Sequence, residues 1–146
     1  MAGTRALVLA GGGVAGIAWE LGLVTGLRGQ GVDVTAPDLI VGTSAGSTVG
    51  AQLASGVPLG ELGAAQLSAE TQELTVDFDI EEFRDQLDAE LAVLDETGGT
   101  RVIAADDASL AAIGPNALDP SRRPAAYRAG LAQGERVAAD IAGFWG

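Results

Sequence analysis

The chain has 146 residues and a formal charge of −12, a length that suits one domain with a real buried core. Glycine (22) and alanine (27) supply a third of it and aromatics only 4%, so it must pack by close backbone approach rather than through large rings. There is no Cys and no His, and all 8 basic residues are Arg, which excludes disulfides, thiolate nucleophiles, Cys/His zinc sites, lysine chemistry and a Ser-His-Asp triad. Hydroxyls, carboxylates, Arg and main-chain amides remain for any chemistry, and no metal or cofactor is expected. Residues 61–107 carry 14 acids against Arg84 and Arg101, while the rest of the chain balances. An acidic chain without a basic cluster is repelled by nucleic acid and anionic membrane surfaces, so no nucleic-acid partner is expected.

Arg5 to Ala10 reads as a short buried strand that runs into Gly11, Gly12 and Gly13. The uncharged run from Ala6 to Trp19 is too short to span a bilayer. It imitates a signal peptide, but the three glycines break it and a periodic pattern resumes after Glu20. With no cysteine to mark an oxidising compartment, the cytoplasm is the default location. Ile17 to Leu27 reads as a helix with Ile17, Leu21, Val24 and Leu27 on one face. Gly22 and Gly26 within it each cost about 1 kcal/mol against Ala unless they permit close helix–strand contact. Gly29 and Gly31 end the helix. Asp38 to Gly42 is a second buried strand, followed by Thr43-Ser44-Ala45-Gly46 and a small-residue helix to about Ser55. Strand, helix, strand, helix implies a right-handed parallel crossover and an α/β fold.

Composition shifts near residue 60, dividing a single domain into a glycine-rich part (1–60) and an acidic, mainly helical part (61–146). Asp79 and Glu82 resemble a helix-capping pair. Ile80, Phe83, Leu87, Leu91 and Leu94 then keep helical spacing with the acids on the opposite, solvated face. Gly98-Gly99 is a turn, and Arg101 to Ala105 is a short strand or a helix start. Pro115, Pro120 and Pro124 surround a loop before a last helix, about Ala125 to Ala142. Only two strands are convincing, and a parallel pair needs more to make a stable sheet. The sheet reads as unfinished, with self-association through it as one consequence.

Gly42-Thr43-Ser44-Ala45-Gly46 matches G-x-S-x-G between an apolar strand and a helix, the context in which that motif carries a nucleophile. The flanking glycines give room for a tight turn, and the Ala45 N–H at the helix start can meet an oxyanion. The alternative is that Thr43 and Ser44 merely cap the helix. Gly11 to Gly16 fits two jobs. As G-x-G-x-x-G after a strand it matches a dinucleotide-binding fingerprint, which makes a nucleotide-binding module the second reading. The acid that fingerprint needs at the end of the second strand is missing, since Asp33 precedes a turn and Asp38 opens the next strand. As an oxyanion wall, the Gly12 and Gly13 amides would face Ser44 from the neighbouring strand. A tight turn requiring positive φ is the purely structural alternative, and a non-catalytic remnant is the third reading of the chain.

The glycine loop, the L-I-V-G-T-S-A-G strand and turn, and the helix between them resemble the patatin-like phospholipase family over roughly residues 5–56. The resemblance implies a three-layer α/β/α fold and hydrolysis of lipid acyl esters by a Ser–Asp dyad. It makes Ser44 the nucleophile, Gly11, Gly12, Gly13 and Ala45 the oxyanion-hole residues, and Gly16, Gly42 and Gly46 the motif glycines. A lipid or small acyl ester is the implied substrate. The family's aspartate sits in a D-G-G or D-G-A motif downstream of the serine, and here no Asp is followed by Gly. Asp106-Asp107-Ala108 is the nearest imitation, with a solvated loop or helix cap as its plain reading. Many members carry Arg or Lys where this chain has Ala15. Family domains are also longer, so the chain reads as the amino-terminal part of such a domain, inactive by itself.

Overall fold

The computed structural model describes residues 3–68 and 99–145. In order these form β1 (Ala6–Leu9), α1 (Gly13–Gly29), β2 (Leu39–Gly42), α2 (Ala45–Ala54), α3 (Leu59–Leu67), α4 (Asp107–Ile113), one 3-10 turn (Pro120–Arg122) and α5 (Arg123–Trp145). β1 and β2 pair in parallel, with Ala6 opposite Leu39 and Leu9 opposite Gly42. The class is α/β, with two parallel strands among the described residues. The helix expected to begin at Asp79 and to carry Ile80, Phe83, Leu87, Leu91 and Leu94 lies outside the described residues, as does Gly98 of the expected turn.

Several boundaries move for identifiable reasons. α1 begins at Gly13 rather than Ile17 because the glycine loop feeds directly into the first helical turn, with the Gly16 N–H donating to the Gly12 carbonyl at 2.8 Å. α5 begins at Arg123 and holds Pro124 in its first turn, where a missing N–H costs no helical bond. Arg101 to Ala105 is neither strand nor helix. Its backbone is held by a side chain instead: Gln133 Nε2 donates to the Ala104 carbonyl at 2.7 Å, and Gln133 Oε1 accepts from the Asp106 N–H at 3.2 Å. The same Oε1 accepts from Ser109 Oγ at 2.9 Å and from Trp19 Nε1 at 3.3 Å, so this buried amide ties α1, α4 and α5 together.

α2 packs on both strands, and α1 lies on α2 and more extensively on α5. The α1–α5 contact explains the glycines that helix propensity disfavours. A Cβ on Gly22 would run into the Tyr127 carbonyl and one on Gly26 into the Leu131 carbonyl. From the other side, Gly130 meets the Trp19 carbonyl and Gly134 the Leu23 carbonyl. Two i,i+4 glycine pairs therefore let the helices cross backbone to backbone, an alternative to the aromatic packing this composition lacks. Leu21, Val24, Leu27 and Val49 fill the core beside this seam. A second tie closes the chain: Arg5 donates to the Trp145 carbonyl at 2.8 Å and stacks over its ring, while Trp145 Nε1 donates to the Asp33 carbonyl.

Alternation along the strands sends Leu7, Leu9 and Ile40 toward the core. Val8 (70% exposed), Leu39 (56%) and Val41 (45%) lie on the opposite face, which no described helix covers. A sheet of parallel strands ordinarily carries helices on both faces.

Replacing Gly26 by Leu should cost about 3 kcal/mol or more, because backbone rather than a movable side chain blocks the new atoms. Gly29→Ala, in open space on the same helix, should be neutral or slightly stabilising. Urea unfolding of the two variants beside the wild type checks the contrast.

Candidate active site

Strand β2 ends at Gly42 and helix α2 starts at Ala45, so the chain must reverse across Thr43 and Ser44. Ser44 has φ 52° and ψ −114°, and it is the only non-glycine residue with positive φ among those described. Such a conformation costs a residue with a Cβ about 1–3 kcal/mol, and it persists only where the surroundings enforce it. They do so here through β1. The Leu9 carbonyl accepts the Thr43 N–H at 3.0 Å, and the Ala10 carbonyl accepts the Gly46 N–H at 2.9 Å. A Cβ on Gly46 would collide with the Leu9 carbonyl, and one on Gly42 with the Gly46 carbonyl, so neither position admits another residue without displacement. Ser47 Oγ fastens the turn from below by donating to the Gly42 carbonyl at 2.7 Å.

The Ser44 side chain makes no capping bond to α2, and the residue is exposed. The plain capping reading therefore finds no support in the geometry. The triglycine turn lies against it: a Cβ built on Gly11 would stand 3.7 Å from the Ser44 Cβ. Gly11, Gly12, Gly13, Ser44 and Ala45 are thus gathered at the carboxyl edge of the two strands, with Gly16 facing Ala45 just beneath. Among the described residues, the N–H groups of Gly12, Gly13 and Ala45 donate to no protein atom. Free main-chain donors beside a strained, exposed hydroxyl are the arrangement that acyl transfer requires.

The start of α1 is engaged elsewhere. The Ala15 N–H donates to the Ala117 carbonyl at 2.9 Å, and Gly13, with φ 61°, packs against Ala117 and Leu118. A pyrophosphate seated on that helix end would have to displace the Ala117 carbonyl. Asp33 is committed to Thr35 and Arg28, and Asp38 accepts the Arg5 N–H, so neither acid is placed to hold a ribose. These contacts weigh against the dinucleotide reading. Ala15 is fully buried, and no headgroup contact comes from its position.

Asp106 proves to be a helix cap. Its Oδ1 accepts the Ser109 N–H at 2.9 Å, the largest of the effects that hold its carboxyl below the usual carboxylate range, and its Oδ2 pairs with Arg136. Asp107 follows in the first turn of α4 and is exposed. Among the described residues, no carboxylate bonds to Ser44.

The sequence reading passed over one ionisable group, Glu20. It is 6% exposed, and its Oε2 has no partner among the described residues. Burial pushes its carboxyl up to about 8, offset in part by the backbone N–H of Ala10. The signal was available, since Glu20 stands one helical turn from both Gly16 and Val24 on the inward face of α1.

A model of the family described as Patatin-like phospholipase matches residues 7–138. The chain belongs to this family. The match spans most of the chain and supports a lipid-hydrolase character in general terms. No curated protein and no solved structure matches the chain significantly. Among the described residues, no helix is long and apolar enough to cross a membrane.

Two measurements probe this patatin-like site without an assay of turnover. Ser44→Gly should stabilise the fold by about 1 kcal/mol by removing the cost of positive φ, whereas Ser44→Ala, which keeps its Cβ, should not. Denaturant midpoints compare them. For Glu20, the unfolded carboxyl titrates near 4.5 and the folded one near 8. The unfolded state therefore binds fewer protons between those values, and stability falls as pH rises through that window. Glu20→Gln should melt higher than wild type at pH 8, with the difference vanishing near pH 4.

Proposed function

We propose that this chain carries the nucleophile and oxyanion half of a serine acyl hydrolase acting on lipid or small acyl esters. The observation that carries the reading is the positive φ of Ser44, a strain that a capping serine has no use for. In the proposed chemistry Ser44 Oγ attacks the ester carbonyl carbon, and a base takes its proton. The N–H groups of Gly12, Gly13 and Ala45, with Gly11 shaping the loop, hold the tetrahedral oxyanion. The proton passes to the leaving alcohol, and water then releases the acyl group with regeneration of the serine. Each oxyanion donor lowers the barrier by about 3 kcal/mol.

The base in this reading is the aspartate of a Ser–Asp dyad, as the family resemblance implies, and no Asp of this chain is followed by Gly as in the family's usual motif. The chain is accordingly inactive or nearly so by itself, since loss of a base costs orders of magnitude in rate. The bare apolar face of Val8, Leu39 and Val41 agrees with a three-layer fold whose second helical layer covers it.

A fluorophosphonate ester tests the nucleophile. Slow labelling of the wild type that disappears in Ser44→Ala is the expected result. Labelling that persists in Ser44→Ala would remove Ser44 from the reaction, and hydrolysis of a short-chain ester at ordinary enzyme rates would overturn the claim of inactivity.

A further inference from the structure

The charges around Ser44 bear on what kind of ester the site takes. Residues 6–19 and 39–60, which build β1, the triglycine turn, β2, the serine turn and α2, contain no ionisable side chain. Residues 113–118, whose Ala117 and Leu118 pack on Gly13, contain none either. Each described Arg has partners elsewhere. Arg5 lies at the opposite end of β1 on Trp145, and Arg28 pairs with Asp33 about 22 Å along α1 from Gly13. Arg101 stacks on Phe144, Arg128 donates to the Pro124 carbonyl, and Arg136 pairs with Asp106. Arg122 and Arg123 follow the loop that packs on Gly13. Arg122 pairs with Asp119 at 3.8 Å, while Arg123 reaches α3, donating to Gln66 Oε1 at 3.0 Å and to the Ala65 carbonyl at 2.8 Å.

Main-chain amides at a helix start can replace a cation as a phosphate binder. Two helices begin at this edge, and most of their first amides are already used. In α2 the Gly46 N–H donates to the Ala10 carbonyl, and the Ser47 and Thr48 N–H groups donate to the Ser44 carbonyl at 2.9 and 3.3 Å, which leaves Ala45. In α1 the Ala117 carbonyl takes the Ala15 N–H, and the Gly12 carbonyl takes the Gly16 N–H. The Ala117 carbonyl is itself braced: Asn116 Oδ1 accepts the Leu118 N–H at 3.0 Å, and the Asn116 carbonyl accepts the Asp119 N–H at 3.1 Å. Its oxygen thus sets a partial negative charge at the helix start where an anion would bind. The donors assigned to the oxyanion, on Gly12, Gly13 and Ala45, serve one oxygen that gains charge in the reaction.

Resting on the reading of Ser44 as nucleophile, we infer that the substrate is a neutral ester, an acylglycerol or simple alkyl ester with no phosphate on its alcohol. This departs from the phospholipid that the family's description suggests. A phosphate drawn to this edge would leave water for a surface without an opposing charge, on a chain whose formal charge is −12. The described residues around the turn offer hydroxyl, amide and apolar groups, and a neutral alcohol needs nothing more.

Two readouts test this. Two fluorophosphonates of equal length, with alkoxy arms ending in a hydroxyl or in a phosphate, are compared on the wild type. The neutral one should label about tenfold faster, and Arg122→Ala should keep that ratio. Equal or faster labelling by the phosphate-bearing probe would overturn the inference, as would a ratio that rises in Arg122→Ala. Independently of any reaction, ¹⁵N-labelled protein is titrated with a dibutyl glycerol diether, which cannot be hydrolysed, and with its phosphate monoester. The diether should shift the Gly12, Gly13 and Ala45 amides saturably, with about tenfold the affinity of the phosphate. Equal or tighter binding of the phosphate would overturn the inference, as would amides that ignore the diether. If neither probe labels while the diether keeps its preference, the nucleophile reading falls and the choice of a neutral ligand stands.

Discussion

Two carbonyl oxygens, one on the last residue of β1 and one on the residue after it, hold the serine turn in place. Leu9 and Ala10 accept from Thr43 and Gly46, and this pair of bonds forces the chain between them through the one positive-φ serine of the described structure. The glycines at 42 and 46 follow from the same constraint, because bonds this close leave no room for a Cβ on either side of the turn. The nearness of Gly11 to Ser44 and of Gly16 to Ala45 accompanies a close approach of β1 to α2, where Gly46 leaves room for the Leu9 backbone.

How much of this could be read in advance differs by the kind of force involved. The two strands, the crossover and the serine turn were legible because they are encoded in local apolar runs and in glycines whose spacing is a backbone requirement. The three-layer architecture was an expectation from family likeness; the described residues supply one covered face and one bare one. Arg101 to Ala105 misled because its apolar run suggested a ladder or a helical turn, whereas the Gln133 side chain, some thirty positions away, takes the Ala104 carbonyl and the Asp106 N–H just beyond. Gly22 and Gly26 suggested a close contact with a strand, but they meet another helix, and the partner pair at Gly130 and Gly134 can be recognised only once the two helices are known to cross. Glu20 was read as the charged end of an apolar run, although its register placed it inward.

The two buried polar side chains nearest this architecture illustrate opposite solutions. Gln133 satisfies both ends of its amide with four partners and so makes three helices behave as one piece. Glu20 satisfies little, which raises its proton affinity and leaves it responsive to its surroundings. A saturated amide is inert to solvent conditions and suits a strut. An unsaturated acid keeps an energetic cost in the folded state, and a cost that varies with protonation is by its nature a coupling between the interior and the bulk medium.

The crossing of α1 with α5 also bears on how the chain reaches this state. The Trp19 to Gln133 bond spans 114 positions and the Arg5 to Trp145 bond 140, so α1 meets its main neighbour only after the long stretch between them has been made. Contacts that distant must meet the entropy of closing a very long loop before any packing rewards them, which slows the search for the native arrangement. During synthesis the serine turn and the carbonyls of Leu9 and Ala10 that hold it are made well before the helix that packs on α1.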